Sequence, residues 1–367
     1  MAKIEDAIAA IGRGEIVVVV DDEDRENEGD LIMAAEFATP EAIAFFLQHT
    51  SGVICATVSH GRAEQLALGP MVHQNTESQR TAFLVTVDYR HGTTTGISAS
   101  DRAATIRALV DASTRPDDLL RPGHIFPLEA RDGGVLKRAG HTEASIDLAT
   151  LAGCAPVGVL CEIVTGNKAE MARRPELEAF CVDHNLLLIS IADLIRYRRR
   201  TEKLVRRVGS APLSTRWGEF TCVAFESVMD ESRHIALVLG DLTDTEAGPP
   251  LVRVHSECLT GDVFGSAACD CGANLDAAMS RIRQEGRGVV VYLCGRESRG
   301  ADLPLDFGGT ADTREYGVGA QILTELGVTA MRLMSNNPAR YGGLDGFELE
   351  IVERLPLDVA RQPTGAV

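Results

Sequence analysis

Long apolar runs are missing from this 367-residue chain. No segment approaches the roughly 18 uncharged apolar positions that a membrane span requires, although apolar residues make up 45% of the composition. The run Ile16 to Val20 is far too short. Met1 to Ala10 mixes both charges with its alanines and lacks the basic start and apolar stretch of a secretory leader, so a cytoplasmic location is expected. Positive charge is also scarce: 36 Lys and Arg stand against 53 Asp and Glu, a net charge of −17. That balance disfavours nucleic acid as a partner, because phosphate backbones are bound by clustered lysines and arginines. Cysteine is too sparse for a disulfide scaffold; the nine in the chain read as reduced thiols. Cys154, Cys161, Cys181 and Cys222, in apolar surroundings, read as buried small hydrophobes. Internal repeats and low-complexity tracts are likewise lacking.

What is present is enough chain for two cores. Short β-branched runs alternate with helical patterns: Ile16 to Val20, Val53 to Val58, Val157 to Ile163, Val289 to Leu293 and Met331 to Met334. The expected class is α/β (α+β), with two domains, each a mixed sheet with packed helices. Thr39 before Pro40 marks a helix start, and Ser100 or Asp101 opens a periodic stretch to Ala112. Charge clustering followed by glycine, proline and serine in Arg196 to Gly218 places the boundary near residue 205, giving domains 1–205 and 206–367. The basic run Arg196 to Arg207 reads as a solvated helix end, with phosphate binding as the alternative.

The first half concentrates the chemistry. After the strand Ile16 to Val20 comes DDEDRENEGD, Asp21 to Asp30, dense in carboxylates. Such a loop is either simply solvated or a hard-cation site, since Mg²⁺ takes oxygen ligands. GTTTGISASDR, Gly92 to Arg102, is suited to offering hydroxyls and backbone N–H groups to a phosphate, and also has the form of a plain capped turn. RPGHIFPL sets His124 between two prolines, where a structural role is the bland alternative. RAGHTEA offers Arg138, Ala139, Gly140, His141, Thr142 and Glu143 in a turn. GVLCEI puts Glu162 in an otherwise apolar strand, where desolvation suits a carboxylate to general acid or base work.

In this order the segments closely resemble the 3,4-dihydroxy-2-butanone 4-phosphate synthase family over Met1 to about Arg200, through DDEDRENEGD, TTGISASDR, RPGHIFPL, GGVLKRAGHTEA and LAGCAPVGVLCEI. The resemblance implies conversion of ribulose 5-phosphate to the four-carbon phosphate and formate. It implies Mg²⁺ (or Mn²⁺) held by Glu26 and His141, and sugar-phosphate contacts from Arg25, Glu26, Asp30, Arg138 to Thr142 and Glu162. His124 and Glu162 carry over as proton-handling residues, with Glu28 and Asp30 as further carboxylates able to shuttle protons. It further implies a homodimer with active sites at the subunit interface, to which Glu26 and His141 could be contributed by different chains.

In the second half, Cys258, Cys269 and Cys271 have the make-up of a Zn²⁺ site with three thiolates and an open position; three buried free thiols are the alternative. RVHSECLTGDVFGSAACDCGANLDAA, TADTREYGVGAQIL and RLMSNNPARYGGLDGFELEIVERLPL resemble GTP cyclohydrolase II, so the halves together resemble the bifunctional riboflavin-biosynthesis family. The resemblance implies GTP contacts from Arg253, Val254, His255, Ser256 and Glu257, with Glu297 and Arg299 also carried over, Asp312 as proton acceptor and Arg314 as nucleophile. The chain departs from the pattern elsewhere. GRESRGADL stands for RQEGRGIGL, the long stretch with the catalytic tyrosine and a nucleotide-binding threonine is missing between Leu303 and Ala311, and Asn274, Ser335 and Arg340 replace glutamine, threonine and lysine. The second half is therefore expected to bind zinc but to be inactive, altered in substrate or structural. A fully bifunctional enzyme and a nucleotide-binding regulatory or scaffold domain are the competing readings.

Overall fold

The computed structural model describes residues 1–228, 232–244, 246–294, 313–336 and 349–357, with 313–316 described through their backbone alone. The chain divides into two compact units, Met1–Arg198 and Arg199–Val367. In chain order the first unit contains α1 (Ile4–Gly12), β1 (Val17–Val20), β2 (Gly29–Ala34), α2 (Pro40–His49), β3 (Cys55–Val58), α3 (His60–Gln65) and β4 (Val87–Tyr89). It continues with α4 (Ala99–Val110), β5 (Leu119–Glu129), α5 (His141–Leu151), β6 (Gly158–Glu162), α6 (Arg174–His184), β7 (Leu187–Ser190) and α7 (Ile191–Thr201). The described part of the second unit contains β8 (Val205–Thr215), β9 (Gly218–Ser227), β10 (Arg233–Leu239), β11 (Leu251–Ser256), α8 (Cys271–Glu285) and β12 (Gly288–Leu293), then α9 (Thr313–Glu325), β13 (Ala330–Met334) and β14 (Glu350–Leu355). Among these residues no helix is long and apolar enough to cross a membrane.

The first sheet has the order β4-β5-β3-β6-β2-β1-β7, with β1–β7 and β3–β5 parallel and the other pairs antiparallel. Period-2 alternation sorts its side chains. Val18, Val20, Leu31 and Met33 pack with Ile43, Phe46, Ile106, Leu109 and Leu177 from α2, α4 and α6 on one face. Val17, Val19 and Ile32 pack with Ile4, Ile11, Leu148 and Leu194 from α1, α5 and α7 on the other. Both faces are covered, so β1 is four consecutive buried valines, each stabilising by roughly 1.5–3 kcal/mol. The second sheet has the order β14-β13-β11-β12-β10-β9-β8, antiparallel from β8 to β12 and parallel beyond.

Thr39 caps α2 as its sequence implies, accepting from the Ala42 N–H with Pro40 in the first turn. The start of α4 differs. Its cap is Ser98, because Asp101 turns back to accept from the Thr94 and Gly96 N–H groups and the Thr94 hydroxyl. The segment expected to offer N–H groups to a phosphate thus spends two of them on Asp101, as a capped turn does. The presumed boundary segment is not a loop. Arg196–Thr201 ends α7, and residue 205, the expected dividing point, begins the long hairpin strand β8, which holds Pro212. An edge strand tolerates proline, which cannot donate to a ladder; glycine, proline and serine there signalled an edge rather than a linker. Cys161 and Cys181 are buried as expected, whereas Cys154 and Cys222 are only half-buried.

Candidate active site

One end of the first sheet gathers the chemistry. Strands β1 and β6 finish there, antiparallel β2 begins there, and the segment leading into β3 passes alongside, so loops distant in sequence converge. The acidic loop follows β1 and is held by its own first residue. The Asp21 carboxylate, 1% exposed, accepts from the Glu26 and Glu28 N–H groups at 2.9 and 2.8 Å and pairs with Arg25 at 3.0 Å. Arg173, before α6, donates to the Glu26 and Asn27 carbonyls. This internal scaffolding is what a merely solvated loop of like charges lacks.

His141, the first residue of α5, is buried and points into this loop. Its Nε2–H donates to the Val19 carbonyl at 3.1 Å, so Nδ1, 3.7 Å from Glu26 and 3.8 Å from Asp30, is the nitrogen free to ligate a cation once its proton is displaced. Asp21, Glu26 and His141 each present a ligand atom, all within 4.8 Å of one another. Asp30 Oδ1 is buried with no hydrogen-bond partner. An orphaned Asp30 oxygen beside an imidazole and two carboxylates fits a divalent cation, which displaces their protons and takes oxygen and nitrogen donors of this kind. Glu26 and His141 are united by a single chain, so the expected sharing of this pair between two subunits is not needed.

The charges respond to this crowding. Burial, then Glu162, Glu26 and Glu28, push Asp30 up to about 8 against the pull of His141. Burial opposes the His141 imidazolium, but the facing carboxylates of Asp30 and Glu26 outweigh it and raise the group to about 9. The facing His141 lowers Glu26, while burial raises Glu28.

Glu162 is the last residue of β6 and pairs in register with Asp30. It is half-buried rather than sequestered in an apolar strand, because the strand ends there, and it accepts from the Ser51 hydroxyl at 2.8 Å. His124 lies on β5 and is fixed by Asp88 at 2.7 Å. Neither Arg25 nor Arg138 is an idle anchor: Arg25 pairs with Asp21 and Glu26, and Arg138 pairs with buried Glu143 at 2.8 Å and donates to Thr81. Ala139 and Gly140 form the turn into α5, whose cap residue Gly140 supplies no side-chain cap, and Thr142 is buried in the first turn. Asp21 stood inside the acidic run but was not singled out. Ser51, Asp88 and Arg173 carried no motif signal; each acts through a partner far away in sequence.

In the second unit, Cys258, Cys269 and Cys271 present sulfurs within 4.8 Å of one another. Gly261 packs against all three, and a Cβ there would lie 2.6 Å from Cys269 Sγ and 3.2 Å from Cys258 Sγ. Burial opposes ionisation of Cys258, yet the Gly261 N–H and the Thr260 hydroxyl lower it, while burial and Cys269 raise Cys271. Three sulfurs this close can all ionise only when a cation joins them, which fits a soft divalent ion. His255 is buried, donates through Nε2 to Asp262 at 3.0 Å and stacks on Tyr292, whose hydroxyl also donates to Asp262. Asp262 in turn accepts from the Cys258 N–H at 2.9 Å. Arg253 and Val254 lie on β11 with Ser256 closing it, Glu257 follows, and Arg253 donates to the Met334 carbonyl. Asn274 on α8 accepts from Asn336, the neighbour of Ser335. Glu297, Arg299, Asp312 and Arg340 lie outside the described residues, and Arg314 is described only as backbone in α9.

Fold and site together define a two-unit α/β enzyme with an acidic, histidine-containing cation site in its first unit. Residues 5–197 match the family model of 3,4-dihydroxy-2-butanone 4-phosphate synthase, and residues 206–356 that of GTP cyclohydrolase II. The riboflavin biosynthesis protein RibBA of Nocardia farcinica is 54% identical over 374 residues, covering 96% of this chain and 90% of its own. A chloroplastic bifunctional riboflavin biosynthesis protein of Arabidopsis thaliana is 53% identical over 377 residues, 97% and 69% of the two chains. Both aligned spans exceed the 367 residues of this chain, so these relatives hold residues that it lacks. Among solved structures, the two-domain 3,4-dihydroxy-2-butanone 4-phosphate synthase RibBX of A. baumannii is 39% identical with a TM-score of 0.78, covering 96% of this chain and 99% of its own. A 3,4-dihydroxy-2-butanone 4-phosphate synthase in complex with two magnesium ions is 44% identical with a TM-score of 0.53, covering 55% and 98%. The chain belongs to the riboflavin-biosynthesis family in which a 3,4-dihydroxy-2-butanone 4-phosphate synthase domain precedes a GTP cyclohydrolase II domain. It is a 3,4-dihydroxy-2-butanone 4-phosphate synthase.

Proposed function

We propose that the first unit makes 3,4-dihydroxy-2-butanone 4-phosphate from ribulose 5-phosphate through Glu26, His141, Asp30, Glu162 and His124, and that the second unit binds zinc without hydrolysing GTP. The observation that carries the first part is the cluster Asp21, Glu26 and His141 beside the orphaned Asp30 oxygen. The reaction enolises the sugar, removes water, migrates carbon and releases C4 as formate; the water lost is returned at that release, so no oxidant is required. A divalent ion held by Glu26 and His141 supplies positive charge against oxygens that become anionic, and the magnesium-bound synthase structure supports Mg²⁺ there. Asp30, buried 3.8 Å from His141, stands beside the cation site as a further carboxylate able to take up and return a proton. Glu162, steadied by Ser51, and His124, steadied by Asp88, handle protons on neighbouring carbons. The open N-terminus of α5 after Gly140 offers N–H groups and a favourable dipole to the phosphate.

For the second unit, the cysteine cluster supports Zn²⁺, whereas the missing stretch between Leu303 and Ala311 removes the tyrosine and threonine on which the cyclohydrolase resemblance depends. The A. baumannii protein, similar along its whole length, is described as a synthase of two domains. The test is formate release from ribulose 5-phosphate with Mg²⁺ in the wild type and in Glu26→Ala, His141→Ala and Glu162→Gln. Loss of formate is expected in all three, and a wild-type rate in any of them overturns that residue's assignment. GTP consumption by the zinc-replete wild type would overturn the reading of the second unit.

A further inference from the structure

We propose that Asp88 is a positioning residue for the synthase reaction, holding His124 in the one tautomer and orientation that leaves Nε2 to handle the proton; the inference rests on the role assigned to His124 above. Asp88 uses both carboxylate oxygens on one residue. Oδ1 accepts from the His124 backbone N–H at 2.9 Å and Oδ2 from the ring at 2.7 Å. A carboxylate can only accept, so Nδ1 carries the hydrogen, and in the neutral ring the lone pair is on Nε2. The acceptor side chain is 9% exposed and the histidine side chain 39%, the division expected of a fixed support and a working group.

The backbone is shaped around this pair. In the β4–β5 ladder Val87 pairs with Ile125 but Asp88 pairs with Leu120, so residues 121–124 bulge out of register, and His124 rides on that bulge with Asp88 at its base. Two glycines clear the space. A Cβ on Gly123 would lie 1.9 Å from the Val87 carbonyl carbon, and one on Gly96, at φ +85°, would lie 2.0 Å from Asp88 Oδ2. Residue types in RPGH and TTG that looked like separate motifs are thus joined through Asp88, which belongs to neither.

The test combines kinetics with the ¹⁵N signals of the imidazole ring in the Mg²⁺-loaded full chain. Wild-type His124 is expected as the Nδ1–H tautomer; a neutral Nε2–H ring overturns the proposal without any variant. Asp88→Asn turns an amide N–H₂ toward the ring, which is expected to invert the tautomer and lower kcat about ten- to a hundredfold while KM moves less than about threefold. Gly96→Ala, which displaces the carboxylate without altering its charge, is expected to act in the same direction. His124→Gln separates the two claims. If it retains the wild-type rate, the role of His124 falls; if it is inactive while Asp88→Asn keeps full kcat and the native tautomer, the role of Asp88 falls.

Discussion

The two units each present a cluster of metal-type donors on a seven-stranded mixed sheet, yet they differ in how the cluster is supplied. In the first, residues from six separated segments, Asp21 to Asp30, Ser51, Asp88, His124, Arg138 to Thr142, and Glu162, are each fixed by another member or by a neighbour. In the second, the cysteine cluster comes from one local stretch, Cys258 to Cys271, locked by Asp262 and Gly261. A local cluster can survive changes made elsewhere in the chain, whereas a site drawn from many segments cannot. Intact cysteines are therefore weaker testimony to turnover in the second unit than intact carboxylates are in the first.

Breaking either side of that comparison should leave the other untouched. The largest effect is expected from Glu26→Ala or His141→Ala, which should lower formate release by about a thousandfold, the several kcal/mol of charge stabilisation that a held cation provides. Calorimetry should at the same time show the second unit melting as in the wild type. Cys258→Ser should do the reverse, abolishing zinc uptake and lowering the melting temperature of the second unit while formate release stays at the wild-type rate; a fall in formate would mean that the units are not independent. Arg173→Gln, which frees the Glu26 and Asn27 carbonyls, should weaken Mg²⁺ binding about ten- to a hundredfold, measured by isothermal titration.

The pH effect is smaller and has a defined sign. Without metal, His141 stays protonated up to about 9 and Asp30 up to about 8, and an incoming cation must displace these protons. Mg²⁺ affinity should therefore rise between about pH 7 and 9 and then level off. Stability of the metal-free protein should slope the other way. Both folded-state values are raised, so their contribution is complete only below the ordinary values and is lost as pH rises through about 8 and 9. Melting with and without Mg²⁺ across that range checks both slopes.

Much of the first unit was legible because its signals are local. The four valines of β1, the Thr39–Pro40 start of α2 and the acidic loop are each written in a few adjacent residues. What sequence could not display were contacts between segments far apart in the chain. Asp88 lies 36 positions before His124, Ser51 lies 111 before Glu162, and nothing in their immediate neighbours marks them. Two ambiguities share one cause, the several uses that turn-forming residues have. Gly209, Ser210 and Pro212 lie on an edge strand rather than in a linker, and the polar Gly92 to Arg102 segment folds onto Asp101 rather than leaving all its N–H groups open. In the second unit the cysteine spacing and the buried His255 with its neighbours were reachable from the motif, but the altered nucleotide side was legible only as a departure from a family pattern.

The most direct test of the contrast between the units follows formate from both substrates in one zinc- and magnesium-replete preparation, with the GTP carbon that would be lost carrying an isotopic label and ribulose 5-phosphate unlabelled. The expected result is steady unlabelled formate, sensitive to Glu26→Ala, with no labelled formate above background. Labelled formate at a rate comparable with the unlabelled would contradict it and would make the second unit a working cyclohydrolase.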